Sequence, residues 1–307
     1  MPGLVNTAQA ELFHTYQDGV DSPTLTGGST RLPIPLHQDG GPLETLVDAY
    51  LHHEPLVGLP ENIAVDGVKK KFGPFITARR AAIRYCLSVG LSPTAFPRTY
   101  LKVDKTQATL VAQLYEEMTP TPDDALTQAA YRALANESLA QWQIIKATGL
   151  HVEFSPTSRG EPDPYSNPRR LIQDVVENNH LFVTESRSAY GSESFKPDDS
   201  NPMLDQVPHE RISGQVPLVN DIFRIVHDYF GHVREGLGFR AEGEYNTWRG
   251  HSVMYSPLAR RAMTMELLVQ NYWINYGPYG ELNRNANVYE TRYPRQRLGL
   301  LPEWVCE

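Results

Sequence analysis

Residues 122–149, PDDALTQAAYRALANESLAQWQIIKATG, form a long helical pattern in the middle of the chain. Asp123 and Asp124 stand at its start, where the positive end of a helix dipole favours acids, and Gly149 is a typical stop. Further helical patterns flank it, and two short stretches alternate as strands do. Helices are predicted over residues 42–53, 75–89, 106–118, 167–176, 216–232 and 257–276, and strands over 151–154 and 181–184.

These patterns predict a single domain of the α+β class, mainly α-helical, over residues 42–307. Residues 1–41 are rich in Gly, Pro, Ser and Thr and show little periodicity, which is typical of an irregular N-terminal arm. With 307 residues and 40% hydrophobic content, the chain is long enough to bury a substantial core. The histidine-rich, catalytic half is expected at about residues 216–305.

Composition argues against several classes of protein. The formal net charge is -8 and no apolar run is long enough to cross a bilayer, so we expect no membrane partner. The first residues include Asn6, Gln9 and Glu11 and lack the features of a secretory signal, so we expect a cytoplasmic location. Cys86 and Cys306 are too few for a disulfide framework or a cysteine zinc site. No motif for a nucleotide cofactor is evident.

Residues 226–233, VHDYFGHV, place two histidines five positions apart, with Asp228 beside the first and Gly231 before the second. Five residues advance about 140° around an ideal helix, so His227 and His232 share a face only if the helix ends or distorts near Gly231. Two neutral imidazoles and one carboxylate form a facial triad, which leaves open positions on a divalent metal. We therefore predict a site for iron, magnesium, manganese or zinc on this pair.

The third metal ligand is expected from a glutamate further along the chain. Glu242, Glu244 and Glu266 are the candidates. Glu266 lies among apolar residues that include Met263 and Leu267, so it is expected to be partly buried and therefore paired. We favour Glu266 as the ligand for this reason, and we keep Glu242 and Glu244 as catalytic candidates.

The spacing His-acid-x-x-Gly-His-Val resembles the iron site of the aromatic amino acid hydroxylases, whose third ligand is a glutamate in a later helix rich in Tyr and Trp. Tyr272, Trp273 and Gly277 are similar to that helix. The position two before the glycine is Asn275 here, so an amide replaces the carboxylate or Glu266 supplies it. This resemblance implies an alternative function, a non-haem iron(II)-dependent oxygenase.

A longer stretch, residues 220–304, resembles the amino acid:DNA transferases of bacteriophages, which act in thymidine hypermodification. Besides the histidine motif, the resemblance rests on NDIFR at 220–224, GFRAEGE at 238–244, MYSPLA at 254–259 and NYGP at 275–278. It implies that the amine of an amino acid such as glycine displaces pyrophosphate from pyrophosphorylated 5-hydroxymethyluracil in DNA. The implied partners are modified phage DNA, a free amino acid and other DNA-hypermodification enzymes, in the host cytoplasm during infection.

That reaction gives roles to the polar and aromatic side chains around the motif. The amine must lose a proton, for which His251 or Glu244 is a candidate base, and the departing pyrophosphate needs a cation or strong donors. A flipped thymine also needs aromatic side chains on which to stack. The predicted catalytic residues are His227, Asp228, His232, Glu242, Glu244 and His251. The predicted substrate-binding residues are Arg224, Arg240, Trp248, Arg249, Tyr255, Asn271, Trp273 and Asn275, and the predicted metal ligands are His227, His232 and Glu266.

Simpler interpretations of the same residues remain open. A helical histidine is commonly a hydrogen-bonded structural residue, and Tyr272, Trp273 and Tyr276 have the spacing of a core stripe. Glu242 and Glu244 are also compatible with a solvated turn. A non-enzymatic DNA-binding or virion-associated module is therefore a third candidate function, and it predicts that loss of a histidine of the motif leaves all measurable function intact.

Overall fold

The computed structural model describes residues 42–53, 75–159, 161–165, 167–189, 200–286 and 290–307. The irregular arm predicted over residues 1–41 lies outside these ranges. The described chain is mainly α-helical with one parallel pair of short strands, which confirms the predicted fold class. No helix within the described ranges has both the length and the apolar content that crossing a bilayer requires.

The helices and strands largely follow the predicted order, and three stretches of π-helix were not predicted. The α-helices are α1 Pro42–His53, α2 Ile76–Ser88, α3 Lys105–Glu117, α4 Ala125–Lys146, α5 Pro168–Gln173, α6 Ser186–Ala189, α7 Val219–His227, α8 Ala241–Ser252, α9 Pro257–Thr264, α10 Gln270–Tyr276 and α11 Gly280–Asn283. The strands are β1 His151–Phe154 and β2 His180–Val183. The π-helical segments are Asp174–Asn178 after α5, Asp228–Val233 after α7, and Met265–Val269 between α9 and α10.

Helix α4 is the centre of the core. Asp124 caps it, because its carboxylate accepts the backbone N–H of Thr127 at 2.8 Å. Side chains on every side of α4 are buried, as expected of a helix enclosed by others, and Tyr131, Leu134 and Ile144 have no exposed surface. Helices α9 and α7 pack against α4 more extensively than the other helices do. The two helices that run into the π-helical segments of the C-terminal half are therefore both held on the central helix.

Helix α8 is the main element that the sequence analysis misses. Residues 241–252 contain Gly243 and Gly250 and lack apolar residues at helical spacing, so the pattern predicts no helix there. Gly243 approaches the backbone carbonyl of Gly238 so closely that a Cβ atom would overlap it. The glycine therefore permits tight packing of the first turn of α8, and this packing brings the helix beside residues 228–233.

Strands β1 and β2 pair in parallel, with His151 opposite His180. Helix α5 and its π-helical extension form the crossover between them. Successive side chains of a strand point to opposite faces, and one face of this pair is apolar and buried. The other face carries His151, Glu153, His180 and Phe182.

Glu137 is a buried carboxyl group that caps a helix. It lies on α4 with 3% of its surface exposed, and it accepts the backbone N–H of Ser256 at 2.8 Å and the Ser256 hydroxyl at 2.6 Å. Ser256 in turn caps α9. Burial raises the pKa of Glu137 to about 7, although the bonds from Ser256 and the charge of Arg260 oppose the shift. Glu137 is therefore neutral in the folded protein over a range in which it is ionised in the unfolded chain.

We expect Glu137→Gln to remove a pH-dependent loss of stability. The ordinary pKa is 4.5 and the folded value is about 7, so the folded state binds the proton more tightly. The contribution of protonated Glu137 to the free energy of unfolding is complete below the pKa that the group has in the unfolded chain. It is lost as pH rises through the pKa that the group has in the folded protein. Relative to the glutamine variant, which mimics the protonated group, the parent protein loses about 3 kcal/mol between pH 4.5 and pH 8. Urea unfolding of both proteins across this range measures the difference, and parallel pH profiles would contradict it.

Candidate metal centre

The π-helical segment Asp228–Val233 brings His227 and His232 to one face. Helix α7 continues into it without a break, and a π-helix bonds residue i to residue i+5, so residues five apart lie about one turn from each other. The two imidazole rings lie 4.8 Å apart, edge to face. The distortion predicted near Gly231 is therefore confirmed, and its form is a widened turn rather than a helix end.

Glu244 on α8 places its carboxylate against both imidazoles. Its Oε2 lies 3.5 Å from Nε2 of His227, and its Oε1 lies 3.4 Å from Nε2 of His232. A nitrogen and an oxygen that share one ion at about 2.1 Å are themselves separated by about 3.0–3.4 Å. The three side chains therefore have the chemistry and close to the spacing of a ligand set for a divalent cation. The same separations also suit an ion pair with protonated histidine, so geometry alone identifies a centre that can hold either a metal or a proton.

Contacts on the ring edge that faces away from Glu244 set the orientation of His232. Its Nδ1 lies 3.2 Å from the carbonyl oxygen of Leu237 and 3.4 Å from the hydroxyl of Thr247. A carbonyl only accepts, so Nδ1 carries a proton and donates to Leu237. In the neutral ring the lone pair then lies on Nε2, which faces Glu244. Such an outer hydrogen bond is the usual means by which a protein orients a metal-binding histidine.

The charges of the centre favour a cation. Burial by itself raises the pKa of Glu244, but the charges and hydrogen bonds of His232 and His227 together lower it well below its ordinary value. Burial lowers the pKa of His232, and Glu244 and Asp228 outweigh that effect and raise it. Burial raises the pKa of Asp228 against the opposing charges of both histidines. An ionised Glu244 thus faces a histidine that holds a proton readily, and a divalent cation can replace that proton.

His251 lies behind this group and is fully buried. Its ring is 5.9 Å from that of His227, and its Nε2 donates to the side-chain oxygen of Gln141 at 2.9 Å. Burial, helped by the charges of His227, Arg234 and His232, lowers the pKa of His251 well below its ordinary value. A neutral imidazole with so low a pKa is a weak proton acceptor at neutral pH, which makes the predicted role of general base a poor fit for His251.

The carboxylate beside the histidines is that of Glu244 and not that of Glu266, which we favoured from the sequence. Glu266 accepts the hydroxyl of Tyr131 at 2.7 Å and the amide of Gln296 at 2.8 Å. Glu266 was expected to be partly buried and paired, and it is, but its hydrogen-bond partners are neutral donors on α4, on α10 and in the C-terminal segment. Glu242 is two positions from Glu244, a separation that places the two side chains on different faces of α8.

The aromatic residues predicted to stack on a substrate are core residues in this structure. Trp248, Tyr255 and Trp273 have at most 5% of their surface exposed. Their polar groups are bonded inside the protein, to Thr264, Ser138 and Glu116 respectively. Packing inside the core covers the ring faces that a stacked base would need, so the structure does not support the prediction that these three rings stack on a flipped thymine.

Two of the three predicted anion-binding arginines donate to backbone carbonyls. Arg249 donates to the carbonyl of Thr99 at 2.8 Å and to the side chain of Asn246 at 3.0 Å. Arg240 is the N-cap residue of α8 and donates to the carbonyl of Arg284 at 3.2 Å. The charge of Arg224 opposes the rise in the pKa values of Asp228 and Glu266 that burial causes. Of the three arginines, it is therefore the one whose charge acts on an acid of the histidine motif.

The two predicted asparagines lie one turn apart on α10. The side-chain amide of Asn275 donates to the backbone carbonyl of Asn271 at 2.9 Å. The side-chain oxygen of Asn271 is buried and has no hydrogen-bond partner among the residues that the structure describes. Their proposed contact with a base edge or a small substrate remains a prediction.

Comparison of the chain with protein-family models, with curated proteins and with solved structures finds no match in any of the three. The assignment of function therefore rests on the geometry of the centre, on the residues that surround it and on the sequence resemblances described above.

Several residues around the centre were missed by sequence reasoning. Thr247 contacts His232, and Phe239 packs edge to face on the same ring at 4.8 Å. Gln141 comes from α4, more than a hundred positions away along the chain. The spacing of Glu244 and Thr247, three apart, is the one sequence signal that would have placed both on one helix face, and it depends on recognising α8 as a helix.

Proposed function

We propose that the protein is a metal-dependent enzyme whose divalent cation is held by His227, His232 and Glu244. The observation that carries this proposal is the position of the Glu244 carboxylate, which presents one oxygen to each imidazole at 3.4–3.5 Å. Three protein ligands leave further coordination positions for water or substrate, as in catalytic rather than structural metal sites. The orienting contact of Leu237 with His232 supports the same interpretation.

The ligand set narrows the choice of metal. Imidazole suits iron and zinc, whereas magnesium prefers oxygen ligands and water. Of the four metals considered from the sequence, iron(II) and zinc therefore match His227 and His232 best. Manganese is intermediate, since it accepts carboxylate and water more readily than imidazole.

For the reaction, we propose the transfer of an amino acid to pyrophosphorylated 5-hydroxymethyluracil in phage DNA. The amine nitrogen forms a bond to the exocyclic methylene carbon, the bond from that carbon to oxygen breaks, and its electron pair leaves with pyrophosphate. A divalent cation supplies Lewis acidity to the leaving group. The resemblance of residues 220–304 to the phage transferases supports this assignment.

Asp228, next to His227 in the chain, is the proton acceptor that we propose for that transfer. The reacting amine must lose one proton, and the most efficient base has a pKa near the working pH. Burial raises the pKa of Asp228, while Glu244 faces the two imidazoles. Arg224, whose charge acts on Asp228, is the matching candidate partner for pyrophosphate or for the amino acid carboxylate.

A non-haem iron(II) oxygenase is the second candidate function. The specific observation in its favour is the ligand set itself, because two histidines and one carboxylate form the facial triad of iron(II) oxygenases. In the sequence alone, Asn275 at the position where the hydroxylases have a glutamate is evidence against an oxygenase. Glu244 supplies the carboxylate instead, about a dozen positions after His232 rather than roughly forty.

One experiment tests both candidates. Protein loaded with iron(II) or zinc is incubated with DNA that contains pyrophosphorylated hydroxymethyluracil and a mixture of amino acids, and the DNA is digested to nucleosides and weighed. We expect an amino acid adduct that disappears on chelation of the metal and in His227→Ala. His209→Ala, a change at an exposed histidine outside the centre, is the matched control and should leave the adduct unchanged.

The other outcomes separate the alternatives. Oxygen consumption by the iron-loaded protein with an aromatic amino acid and a two-electron reductant, without any adduct, favours the oxygenase. Bound metal with neither activity contradicts both reactions. Full activity in the chelated protein or in His227→Ala contradicts metal dependence itself.

A further inference from the structure

The polar face of the β1–β2 pair carries a second group of metal-binding side chains. His151 and Glu153 are two apart on β1, so they project from one face, and the parallel register places His180 beside His151. One ligand atom from each residue lies within 4.8 Å of the other two. The group shares no residue with the His227 centre, and the sequence analysis gave it no role.

Asp174 determines which nitrogen of His180 faces this group. The Nδ1 atom of His180 lies 2.7 Å from Oδ2 of Asp174, and the hydroxyl of Tyr165 donates to the same oxygen at 2.6 Å. A carboxylate only accepts, so Nδ1 of His180 carries a proton. In the neutral ring the lone pair of Nε2 is then free for a metal. This carboxylate–histidine arrangement is the usual outer support of a metal-binding imidazole.

The Nε2 atom of His180 lacks the partner that such an arrangement calls for. It is buried, and among the residues that the structure describes it makes no hydrogen bond. Oε2 of Glu153 nevertheless lies 3.3 Å away. In the neutral ring both atoms are acceptors, so a cation between them turns an unfavourable contact into two favourable ones.

His151 completes the group from the solvent side. Its Nε2 lies 3.7 Å from the same Glu153 oxygen, and its side chain is 70% exposed. An exposed side chain adjusts its rotamer at little cost, so His151 can close the remaining distance to a shared ion. Two imidazoles and one carboxylate, with water in the fourth position, match the coordination preferences of zinc.

We propose that His151, Glu153 and His180 bind a second divalent cation of the zinc type, independently of the proposed catalytic centre. The cation joins β1 to β2, which are only four residues each. It also holds the start of the π-helical segment Asp174–Asn178, since Asp174 orients His180. Its ligands connect two strands across the helical crossover, so we expect the ion to stabilise the strand pair, with water in the fourth coordination position.

Zinc titration of the intact protein tests this site, with native mass spectrometry to count bound ions and thermal unfolding to read their effect. We expect two zinc ions per chain, and one in His151→Ala. Because His151 is largely exposed, its replacement should leave the unfolding midpoint without zinc unchanged. With zinc at about a hundredfold over the dissociation constant, the parent midpoint should rise by about 5 °C more than that of His151→Ala.

Two control variants make the result specific. His227→Ala should lose the other zinc ion and keep the ion bound by the strands, so failure of the catalytic centre and failure of this site are distinguishable. His209→Ala should keep both ions. Equal zinc content and equal thermal shifts in the parent and in His151→Ala would overturn the proposal, and the contact between His180 and Glu153 would then be an ion pair with protonated histidine.

Discussion

Glu244→Gln is expected to abolish metal binding at the His227–His232 pair and any activity that depends on it. The amide keeps the size of the side chain but removes the negative charge and one of the two oxygens that face the imidazoles at 3.4 and 3.5 Å. Loss of an outer-shell partner already weakens metal binding by about 10- to 100-fold. Loss of a ligand should exceed that range, so we expect a decrease of more than about 100-fold. Dialysis against a competing chelator, followed by elemental analysis, measures it.

Two matched variants separate this centre from its neighbours. Glu242→Gln alters the same helix on another face, and Glu266→Gln alters the carboxylate that sequence reasoning favoured. Both should retain the metal, because Glu266 is bonded to Tyr131 and Gln296 instead of to the histidines. Loss of the ion in Glu266→Gln together with its retention in Glu244→Gln would show that the sequence-based ligand was right.

Gly231→Ala is expected to destabilise the fold and to disturb the metal centre at once. A Cβ atom at this position would overlap the Cγ2 methyl group of Thr247 and lie 3.2 Å from Nδ1 of His227. Overpacking of this kind costs about 1–3 kcal/mol, which exceeds the gain of up to about 1 kcal/mol from replacing glycine in a helix. Chemical denaturation should therefore show a net loss of stability, and metal affinity should fall because the His227 ring is displaced.

A compensating change tests the steric cause. Thr247→Ser removes the methyl group and keeps the hydroxyl that lies 3.4 Å from Nδ1 of His232. In the Thr247→Ser background, Gly231→Ala should cost less stability than in the parent protein, and the 3.2 Å approach to Nδ1 of His227 accounts for the cost that remains. A double-mutant cycle should then give a coupling energy above about 1 kcal/mol. Additive effects of the two substitutions would exclude the contact with Thr247 as the cause.

Most of the helices could be predicted because their signals are local. Helix α4 begins after a capping Asp124 and repeats apolar residues over its whole length, and both features depend only on neighbours in sequence. Helix α8 lacks such signals. Gly243 meets the backbone carbonyl of Gly238, five residues earlier, and such a close approach of two backbones is not visible in the spacing of apolar residues.

The candidate site was predictable in part for the same reason. His227, His232 and a role for Gly231 follow from a short motif, whereas the choice among three glutamates does not. Glu266 was favoured because apolar neighbours predict burial, and it is indeed the partner of a buried tyrosine. Burial does not identify the partner of a side chain. The sequence therefore favoured Glu266, whereas the carboxylate beside both histidines is that of Glu244.

Local patterns were enough to predict a mainly helical fold and two histidines that need a distorted turn to meet. The docking of separate elements selects the carboxylate that faces both histidines, and the pairing of β1 with β2 brings His151, Glu153 and His180 together. The two kinds of feature differ in the range of the interactions behind them. Capping and helical periodicity act over a few residues. Ligand sets and close packing depend on how separate elements dock, and local sequence patterns do not show which residues that docking brings together.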